Sequence, residues 1–306
     1  MSRGFTVHGT AVTHPTRGAA TRLNSKVRQV GERLQLTDIN ARVAEFVADG
    51  ITVIRGVFAP WVETLREGVE INKHEPGPYM RTYTAQDKPG HFFGDYCNWQ
   101  RIAQYESFVR DSPAAELAAV LMRSSTARFF HEHVLVKEPG STEPTPWHHD
   151  QPYYSVNGEQ NVSLWIPLDD VAEQVCPEFI AGSHRWGRWF VPQRFSGQAY
   201  ERPQDGFETM PDFESQRDQH NIKSWALEPG DALAFHFLTV HGAPANPSQQ
   251  RRRRGFSARW IGDDASWALR SGDQTSPPFP RLHELLKHGE PLDVPEFPVV
   301  WRAAAR

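Results

Sequence analysis

The order of hydrophobic and polar positions predicts helices in the first part of the chain. Thr37 can cap a helix that ends at Gly50. Its apolar face would consist of Ile39, Val43, Phe46 and Val47. The run ITVIRGVF, residues 51–58, is rich in β-branched and aromatic residues and predicts a strand. Another helix is predicted to open at Ser112 and Pro113.

After residue 125 the pattern changes to short β-type runs separated by Pro, Gly and Asp. The runs are ARFFHEHVLVK, NVSLWIPL, IKSWAL, DALAFHF and RGFSARWIG. Many short strands with turn signals between them are typical of a sandwich or barrel. Residues 185–221 are polar and aromatic without a period, and such a long segment is typical of a functional lid or of a disordered region. The pattern therefore predicts helices packed on a double-layered β barrel.

The same pattern predicts a single domain preceded by a loose arm. Residues 1–34 are polar and charged without a sustained period, and we assign them to the arm. Residues 35–306 are assigned to one domain. Its parts are a mainly helical segment at 35–125, a β core at 126–262 that carries the lid-like insertion 185–221, and a C-terminal extension at 263–306.

Composition narrows the range of partners and compartments. The 306 residues carry a formal net charge of −4, so no basic field points to nucleic acid or to an anionic membrane. No apolar run of spanning length and no signal-peptide pattern is present in the sequence. Cys97 and Cys176 do not make a disulfide framework, and we expect a reducing, cytoplasmic compartment. A small-molecule substrate is expected, and the oligomeric state is left open.

The stretch PWHHDQ, residues 146–151, carries the candidate chemistry. His148 and Asp150 are two residues apart, so on a strand both side chains point to the same side. Two histidines and one carboxylate on one face of Fe(II) leave three positions open, enough for a bidentate 2-oxo acid and O2. His241 is the best third ligand, because it follows a predicted strand and precedes Gly242, where the chain can turn away.

The remaining histidines are predicted to have structural roles. His149 alternates away from the pair and is expected to face outward. His236 is the rival of His241, but it lies within its predicted strand rather than at the rim. We expect hydrogen-bonded structural roles for His131, His133, His184, His220 and His236.

Several ordered motifs resemble the phytanoyl-CoA dioxygenase family, from GITVIRGVF onward. They are VKEPGSTEPTPWHHDQPYY, NVSLWIPLDDV, EFIAGSHRWG and PGDALAFHFLTVHGAPAN. The resemblance implies a double-stranded β-helix, that is, a jelly-roll or cupin-like core, in a mostly β fold with flanking helices (α+β). It also implies Fe(II) held by His148, Asp150 and His241, with 2-oxoglutarate as cosubstrate and O2 as oxidant.

The resemblance further implies a set of cosubstrate-binding residues. The family has an arginine on the strand after the distal histidine, and here the run of four arginines leaves Arg252 and Arg253 as alternatives. We prefer Arg253, because on a strand it shares a face with small neighbours that leave room for a carboxylate. Ser163 matches a serine that bonds 2-oxoglutarate in relatives, and Trp165 and Lys137 could also contact it. Barrel packing is the alternative role for Ser163 and Trp165, and an exposed strand end for Lys137.

The reaction implied is hydroxylation of an unactivated C–H bond with release of succinate and CO2. Three aromatic residues that flank the metal pair are candidates for a substrate wall, or for core support of the metal strand: Trp147, Tyr153 and Tyr154. Three alternatives stay open. The first is a cupin-type isomerase or a dioxygenase that does not use 2-oxoglutarate, and the second is an inactive small-molecule-binding protein of the same fold. The third is a nucleic-acid demethylase, against which the net charge of −4 argues. A full carboxylate at Asp150 predicts oxidation rather than halogenation.

Overall fold

A computed structural model describes residues 38–84, 87–194, 198–201, 205–272 and 277–304. The predicted arm and Thr37 lie outside these residues. The helices are α1 Ile39–Asp49, α2 Val62–His74, α3 Ala103–Asp111, α4 Ala114–Met122 and α5 Pro280–Leu285. The first seven strands are β1 Ile51–Ile54, β2 Arg81–Thr82, β3 Phe92–Tyr96, β4 Thr126–Lys137, β5 Thr145–His148, β6 Val156–Asn157 and β7 Asn161–Pro167. The others are β8 Glu178–Ile180, β9 Ile222–Lys223, β10 Ala232–Phe235, β11 His241–Ala243, β12 Arg253–Ile261, β13 Ser266–Trp267 and β14 Val299–Arg302.

The helical part follows the sequence prediction with two differences. Helix α1 ends at Gly50, which has a φ of 74° and donates its N–H to Phe46 O at 2.8 Å. In the predicted apolar face of α1, Phe46 is buried but Val47 is 42% exposed, so the prediction included a residue that does not pack in the core. Strand β1 stops at Ile54 instead of Phe58, because the chain turns there into the short 3-10 helix Ala59–Trp61.

Two antiparallel sheets form the core of the protein. The larger sheet has the order β1-β10-β7-β12-β4-β3-β2, and β14 also pairs with β4. The smaller sheet has the order β5-β11-β8-β9. From β4 to β12 the chain passes repeatedly between the two sheets, which is the connectivity of a double-stranded β-helix. The predicted fold class is therefore confirmed.

Strand β12 separates the core into two chemically different faces. Its even-numbered residues meet the helices and the neighbouring strand: Phe256 packs against Tyr105 and Phe108, and Trp260 packs against Phe129. Its odd-numbered residues Arg253, Ser257 and Arg259 line a cavity between the sheets. This alternation follows from the two-residue period of a strand. One face thus stabilises the fold and the other carries polar groups into the interior.

Several predicted strands are shorter than expected. IKSWAL forms a strand only at Ile222–Lys223, and Leu227 makes an isolated bridge with Val171. The turn at residues 228–231 is present, with Asp231 N–H bonded to Glu228 O at 3.1 Å and Gly230 at a φ of 89°. Residues of the C-terminal extension reach the larger sheet through β14, so this segment belongs to the core architecture.

Candidate metal centre and cavity

His148 and Asp150 lie on either side of a strand end. Strand β5 stops at His148, and Asp150 precedes the 3-10 turn Gln151–Tyr153. The Asp150 N–H bonds Phe237 O at 2.7 Å, which fixes this turn. The two side chains converge, with His148 Nε2 3.7 Å from Asp150 Oδ1. The sequence argument from strand alternation was therefore wrong in its reason, because the turn, and not the strand, directs Asp150 to the same side.

His241 faces His148 across paired strands. The two residues are register partners of β11 and β5, and their rings lie 4.2 Å apart. Each ring bonds the carbonyl two residues earlier through Nδ1, His148 to Pro146 O at 2.8 Å and His241 to Thr239 O at 2.9 Å. A carbonyl only accepts, so Nδ1 carries the proton in each ring and the Nε2 lone pair is left for a metal.

The three side chains fit a divalent iron. One ligand atom from each of His148, Asp150 and His241 lies within 4.8 Å of the others. Burial lowers the pKa of His241 to about 3, which keeps this ring in the neutral form that binds metals. Two imidazoles and one carboxylate form the donor set of non-haem Fe(II) oxygenases.

Asp150 is held by polar neighbours on its far side. Its Oδ2 accepts from Ser163 Oγ at 3.2 Å and from Arg259 Nε at 3.4 Å. Burial acts to raise the pKa of Asp150, but the charge of Arg259 outweighs it, so the pKa lies well below its ordinary value. Ser163 is buried against this carboxylate and does not line the cavity, which argues against the expected contact with 2-oxoglutarate.

The other histidines depart in part from their predicted roles. His149 is buried and accepts the Phe190 N–H at 2.9 Å, so it does not face outward. His236 fits the structural role, since Nε2 lies 3.0 Å from Glu159 O and Nδ1 accepts from Leu238 N–H. Four of the remaining rings keep one buried nitrogen without a partner among the described residues: His131, His133, His184 and His220.

A cavity of about 430 Å³ opens beside the three ligands. Apolar and aromatic side chains make up much of its wall, including Phe92, Phe179 and Phe235. Of the cosubstrate and substrate residues expected from the sequence, six line it: Lys137, Trp147, Tyr153, Tyr154, Trp165 and Arg253. Within the described part of the chain, five Lys or Arg side chains line the cavity and Asp150 is the single carboxylate. Of these five, Lys137, Arg253 and Arg259 are buried and Arg81 and Arg194 are exposed, so the buried part of the cavity holds more basic than acidic residues in a protein whose net charge is −4.

Arg253 and Lys137 lie at one end of the cavity. They are register partners on β12 and β4, and both are almost fully buried. Arg253 donates to the carbonyl oxygens of Val175 and Pro244, and Lys137 Nζ donates to Pro244 O at 3.0 Å. Burial lowers the pKa of Arg253 to about 10, so it stays charged at neutral pH. Burial and the charge of Arg253 lower the pKa of Lys137 to about 6.

Arg252, the alternative to Arg253, points out of the barrel. Its side chain is 39% exposed and pairs with Glu70 at 2.8 Å and with Glu138 at 3.5 Å. It does not line the cavity. Arg252 directly precedes β12, and neighbouring residues of an extended chain face opposite sides, which accounts for this difference.

The three aromatic residues near the ligands have distinct surroundings. Trp147 donates from Nε1 to Glu214 at 3.0 Å, and Tyr153 exchanges hydrogen bonds with the backbone of Gln193 at 2.7 and 2.8 Å. These contacts tie Gln193 and Glu214, two described residues of the predicted lid segment, to the cavity wall. Tyr154 is buried with its ring 5.6 Å from the Arg259 guanidinium, and burial raises the pKa of Tyr154 well above the ordinary value.

The polar cavity-lining residues that sequence reasoning missed include four on strands β4 and β12: His131, His133, Ser257 and Arg259. A signal was available, because His131 and His133 share the odd-numbered face of β4 with Lys137. Ser257 and Arg259 share the odd-numbered face of β12 with Arg253. A systematic reading of these two faces would have found all four.

The fold and the donor set define a class, the jelly-roll enzymes with a two-histidine, one-carboxylate metal site. Residues 46–255 match the sequence profile of the phytanoyl-CoA dioxygenase (PhyH) family. The chain belongs to this family. The predicted resemblance is confirmed, although no curated protein sequence matches the chain significantly.

Solved structures share the fold. The non-heme alpha-ketoglutarate-dependent carbocyclase SnoK from nogalamycin biosynthesis is 23% identical over 85% of this chain and 96% of that chain, with a TM-score of 0.65. The epimerase SnoN in complex with Fe3+, alpha-ketoglutarate and nogalamycin RO is 21% identical over 86% of this chain and 98% of that chain, with a TM-score of 0.65. EvdO2 from Micromonospora carbonacea var. aurantiaca, complexed with 2-oxoglutarate, is 18% identical over 79% of this chain and 94% of that chain, with a TM-score of 0.53.

These similarities show the fold of this chain. The reactions named for the similar proteins differ from one another. A carbocyclase and an epimerase on one fold mean that the fold alone does not fix the reaction. Within the described residues, no helix has the length and apolar character needed to cross a membrane.

Proposed function

We propose that this protein is an Fe(II)- and 2-oxoglutarate-dependent dioxygenase that hydroxylates a C–H bond of a small organic substrate. His148, Asp150 and His241 hold the iron, and Arg253 with Lys137 holds the far carboxylate of 2-oxoglutarate. The observation that carries the proposal is the pair Arg253 and Lys137, two buried basic groups that open on the same cavity as the metal ligands. Their side-chain hydrogen bonds within the described residues go only to backbone carbonyls, and Lys137 Nζ also lies 4.6 Å from the centre of the Phe92 ring.

The cost of burial explains why these two groups indicate an anionic ligand. A buried guanidinium without a counter-ion is expensive, because backbone carbonyls replace only part of its hydration. Among the described residues no carboxylate pairs with Arg253 or Lys137 within 4.0 Å. A dicarboxylate that reaches from the metal to this end of the cavity would supply the missing charge. Planar guanidinium geometry suits such a carboxylate.

This pair also separates the proposal from the alternatives. A cupin-type isomerase, or a dioxygenase without an oxo acid, has no need for two basic groups at the end of the metal cavity. An inactive binding protein has no need for three converging metal ligands with both histidine tautomers fixed. The proposed function uses both features at once.

The remaining roles follow from position. Iron, when bound with 2-oxoglutarate, supplies O2 activation coupled to oxidative decarboxylation, which yields succinate and CO2. The chain's own residues bind, orient and exclude water. Gly255 lies on β12, the strand that carries Arg253, and the side chain of Trp165 on the neighbouring strand β7 lies against it. A Cβ added at Gly255 would fall 2.4 Å from the Trp165 indole nitrogen. We assign Trp165 to the wall of the cosubstrate end. Trp147, Tyr153 and Tyr154 are assigned to the substrate side.

The test is anaerobic titration of purified protein with Fe(II) and then 2-oxoglutarate. We expect a weak visible charge-transfer band on adding 2-oxoglutarate, and its loss in the variants His148→Ala and His241→Ala. His236→Asn is the matched control, because this histidine contacts backbone groups away from the ligands and its variant should keep the band. Persistence of the band in both ligand variants would refute the iron assignment.

Substrate-stimulated succinate formation then tests the reaction. We expect a screen of small organic compounds under O2 to include some that accelerate release of succinate and gain one oxygen atom. A protein that forms the band but releases no succinate with any compound, and none without substrate, would favour the inactive binding protein.

A further inference from the structure

Four polar side chains form a patch inside the barrel that the proposed function does not use. His131 and His133 lie on the inner face of β4, and Ser257 and Arg259 lie on the inner face of β12. The two strands pair so that Ser257 is opposite His133 and Arg259 is opposite His131. We call these four residues the polar patch.

Each member of the polar patch has a buried atom with no partner in the described part of the chain. These atoms are His131 Nδ1, His133 Nε2, Ser257 Oγ and Arg259 Nη1. A buried polar atom without a hydrogen bond costs about 1–3 kcal/mol, so four of them together in a core call for an explanation. All four residues line the cavity beside the metal ligands. A ligand that enters this cavity lies against all four residues.

The polar patch lies at a different position along β12 from the proposed cosubstrate end. Ser257 and Arg259 follow Arg253 by four and six residues, which is about 13 and 20 Å at the usual rise of a strand. Arg259 reaches the metal ligand Asp150, with its Nε 3.4 Å from Oδ2. A 2-oxoglutarate that extends from the metal toward Arg253 therefore leaves the polar patch free for a second ligand.

The hydrogen-bond donors of the polar patch favour a ligand that has negatively charged acceptor atoms. Arg259 can only donate, and Ser257 and the neutral histidines can each donate a hydrogen. Burial lowers the pKa of His133 to about 3 and that of His131 well below its ordinary value, so neither ring carries a charge that would compete with Arg259. Asp150 is the one carboxylate of the described residues that pairs with Arg259. When Asp150 serves a metal cation, Arg259 is left without full compensation.

We propose that the polar patch binds a carboxylate of the primary substrate and so positions that substrate beside the metal. The inference rests on the proposed function for the placement of 2-oxoglutarate. The substrate class is a small organic acid with an apolar or aromatic body, since aromatic side chains form much of the remaining cavity wall. His131, His133, Ser257 and Arg259 act as specificity-determining residues, with the donor hydrogens on the protein and the acceptor oxygens on the ligand.

The experiment uses benzoate and benzyl alcohol as probes, because both carry a phenyl ring but only benzoate carries a negative charge. The protein is loaded with Zn(II) and saturated with N-oxalylglycine, a 2-oxoglutarate analogue, so that the cosubstrate end is occupied before the probe is added. Binding is measured by calorimetry on the wild type, Ser257→Ala and His133→Leu. Thr145→Val is the matched control, because it removes a hydroxyl from another residue of the cavity wall.

We expect benzoate to bind the wild type at least about tenfold more tightly than benzyl alcohol. Ser257→Ala and His133→Leu should each weaken benzoate by about tenfold, which is the effect of one hydrogen bond to a charged group. Thr145→Val should leave it unchanged. Equal binding of both probes, no binding of benzoate, or equal benzoate affinity in all variants would each overturn the proposal.

Binding of N-oxalylglycine in the same samples separates this inference from the proposed function. Ser257→Ala should leave that affinity unchanged, and Arg253→Met should weaken it. If N-oxalylglycine fails to bind the wild type, the proposed function fails. If it binds normally and benzoate does not, the polar patch proposal alone fails.

Discussion

Arg253 and Lys137 donate to the same carbonyl oxygen, that of Pro244, from opposite strands at 2.9 and 3.0 Å. A single acceptor shared by two basic groups compensates neither of them fully. The arrangement keeps both side chains in place while leaving donor hydrogens for a ligand. Pro244 lies three residues after His241, so the segment that positions a metal ligand also supports the cosubstrate end of the cavity.

Replacement of Arg253 should weaken 2-oxoglutarate binding strongly. In Arg253→Met one end of the dianion loses its guanidinium, and we expect the dissociation constant to rise on the order of 100-fold, as for other buried charge pairs that lose a partner. Titration of the anaerobic charge-transfer band measures it. Arg252→Met is the control, because this exposed side chain pairs with Glu70 and Glu138, and a change of less than about threefold is expected. The reverse ranking would move the role to Arg252.

Binding of 2-oxoglutarate should be accompanied by proton uptake. The pKa of Lys137 is about 6 in the free protein, so the amine is mostly neutral at pH 7.5. A carboxylate placed beside it favours the ammonium form and raises this pKa, so close to one proton enters from the buffer. Calorimetry in buffers of different ionisation enthalpy counts the protons.

Lys137→Met should abolish this uptake and weaken 2-oxoglutarate binding. Lys73→Met is the control, since Lys73 pairs with Glu138 outside the cavity and its variant should keep the uptake. Uptake that is unchanged in Lys137→Met would show that another group takes the proton.

Loss of the Ser163 hydroxyl should affect the metal more than the cosubstrate. Ser163 Oγ contacts the outer oxygen of Asp150 at 3.2 Å, so Ser163→Ala frees that carboxylate to rotate. We expect Fe(II) affinity to fall about tenfold, the lower range for residues that orient metal ligands. The affinity for 2-oxoglutarate at saturating iron should stay within about threefold, since this corresponds to less than 1 kcal/mol.

Ser183→Ala is a matched control for Ser163→Ala. This buried hydroxyl bonds the backbone at Ile180 and Val240, so its loss removes hydrogen bonds of similar burial without contact to a metal ligand. Its Fe(II) affinity should equal that of the wild type. If instead Ser163→Ala weakens 2-oxoglutarate alone, the expectation drawn from relatives is correct after all.

Oxidation without halogenation is the expected outcome of turnover. Halogenation by related iron centres needs a vacant coordination position for halide, and here Asp150 Oδ1 lies 3.7 Å from His148 Nε2 and faces the metal position. Product formed under 18O2 in excess chloride should carry 18O and no chlorine by mass spectrometry. A chlorinated product from the wild type would contradict the role of Asp150 as a ligand.

The sequence predicted the fold wherever one local pattern determined a strand. Runs such as NVSLWIPL and RGFSARWIG match β7 and β12 closely, because their residues are buried on both faces. IKSWAL failed beyond Lys223, since Leu227 finds only the single bridge with Val171. Strand length there depends on which partner is available, and that partner is distant in the sequence.

The candidate site was predictable in its residues and less so in its geometry. Spacing found His148, Asp150 and His241, but it could not show that Asp150 lies in a turn held by Phe237 O. His149 is buried and accepts a hydrogen bond from the N–H of Phe190, a residue 41 positions further along the chain. No local pattern contains such contacts.

The division of β4 and β12 into two faces has a consequence for directed evolution. Even-numbered positions such as Phe256 and Trp260 hold the aromatic packing, while odd-numbered positions from His131 to Leu135 and at Ser257 meet the cavity. A library that randomises positions 131, 133, 135 and 257 alters the recognition surface without exchanging any residue of that packing. Selection for new substrates can therefore proceed on these four codons while the scaffold stays unaltered.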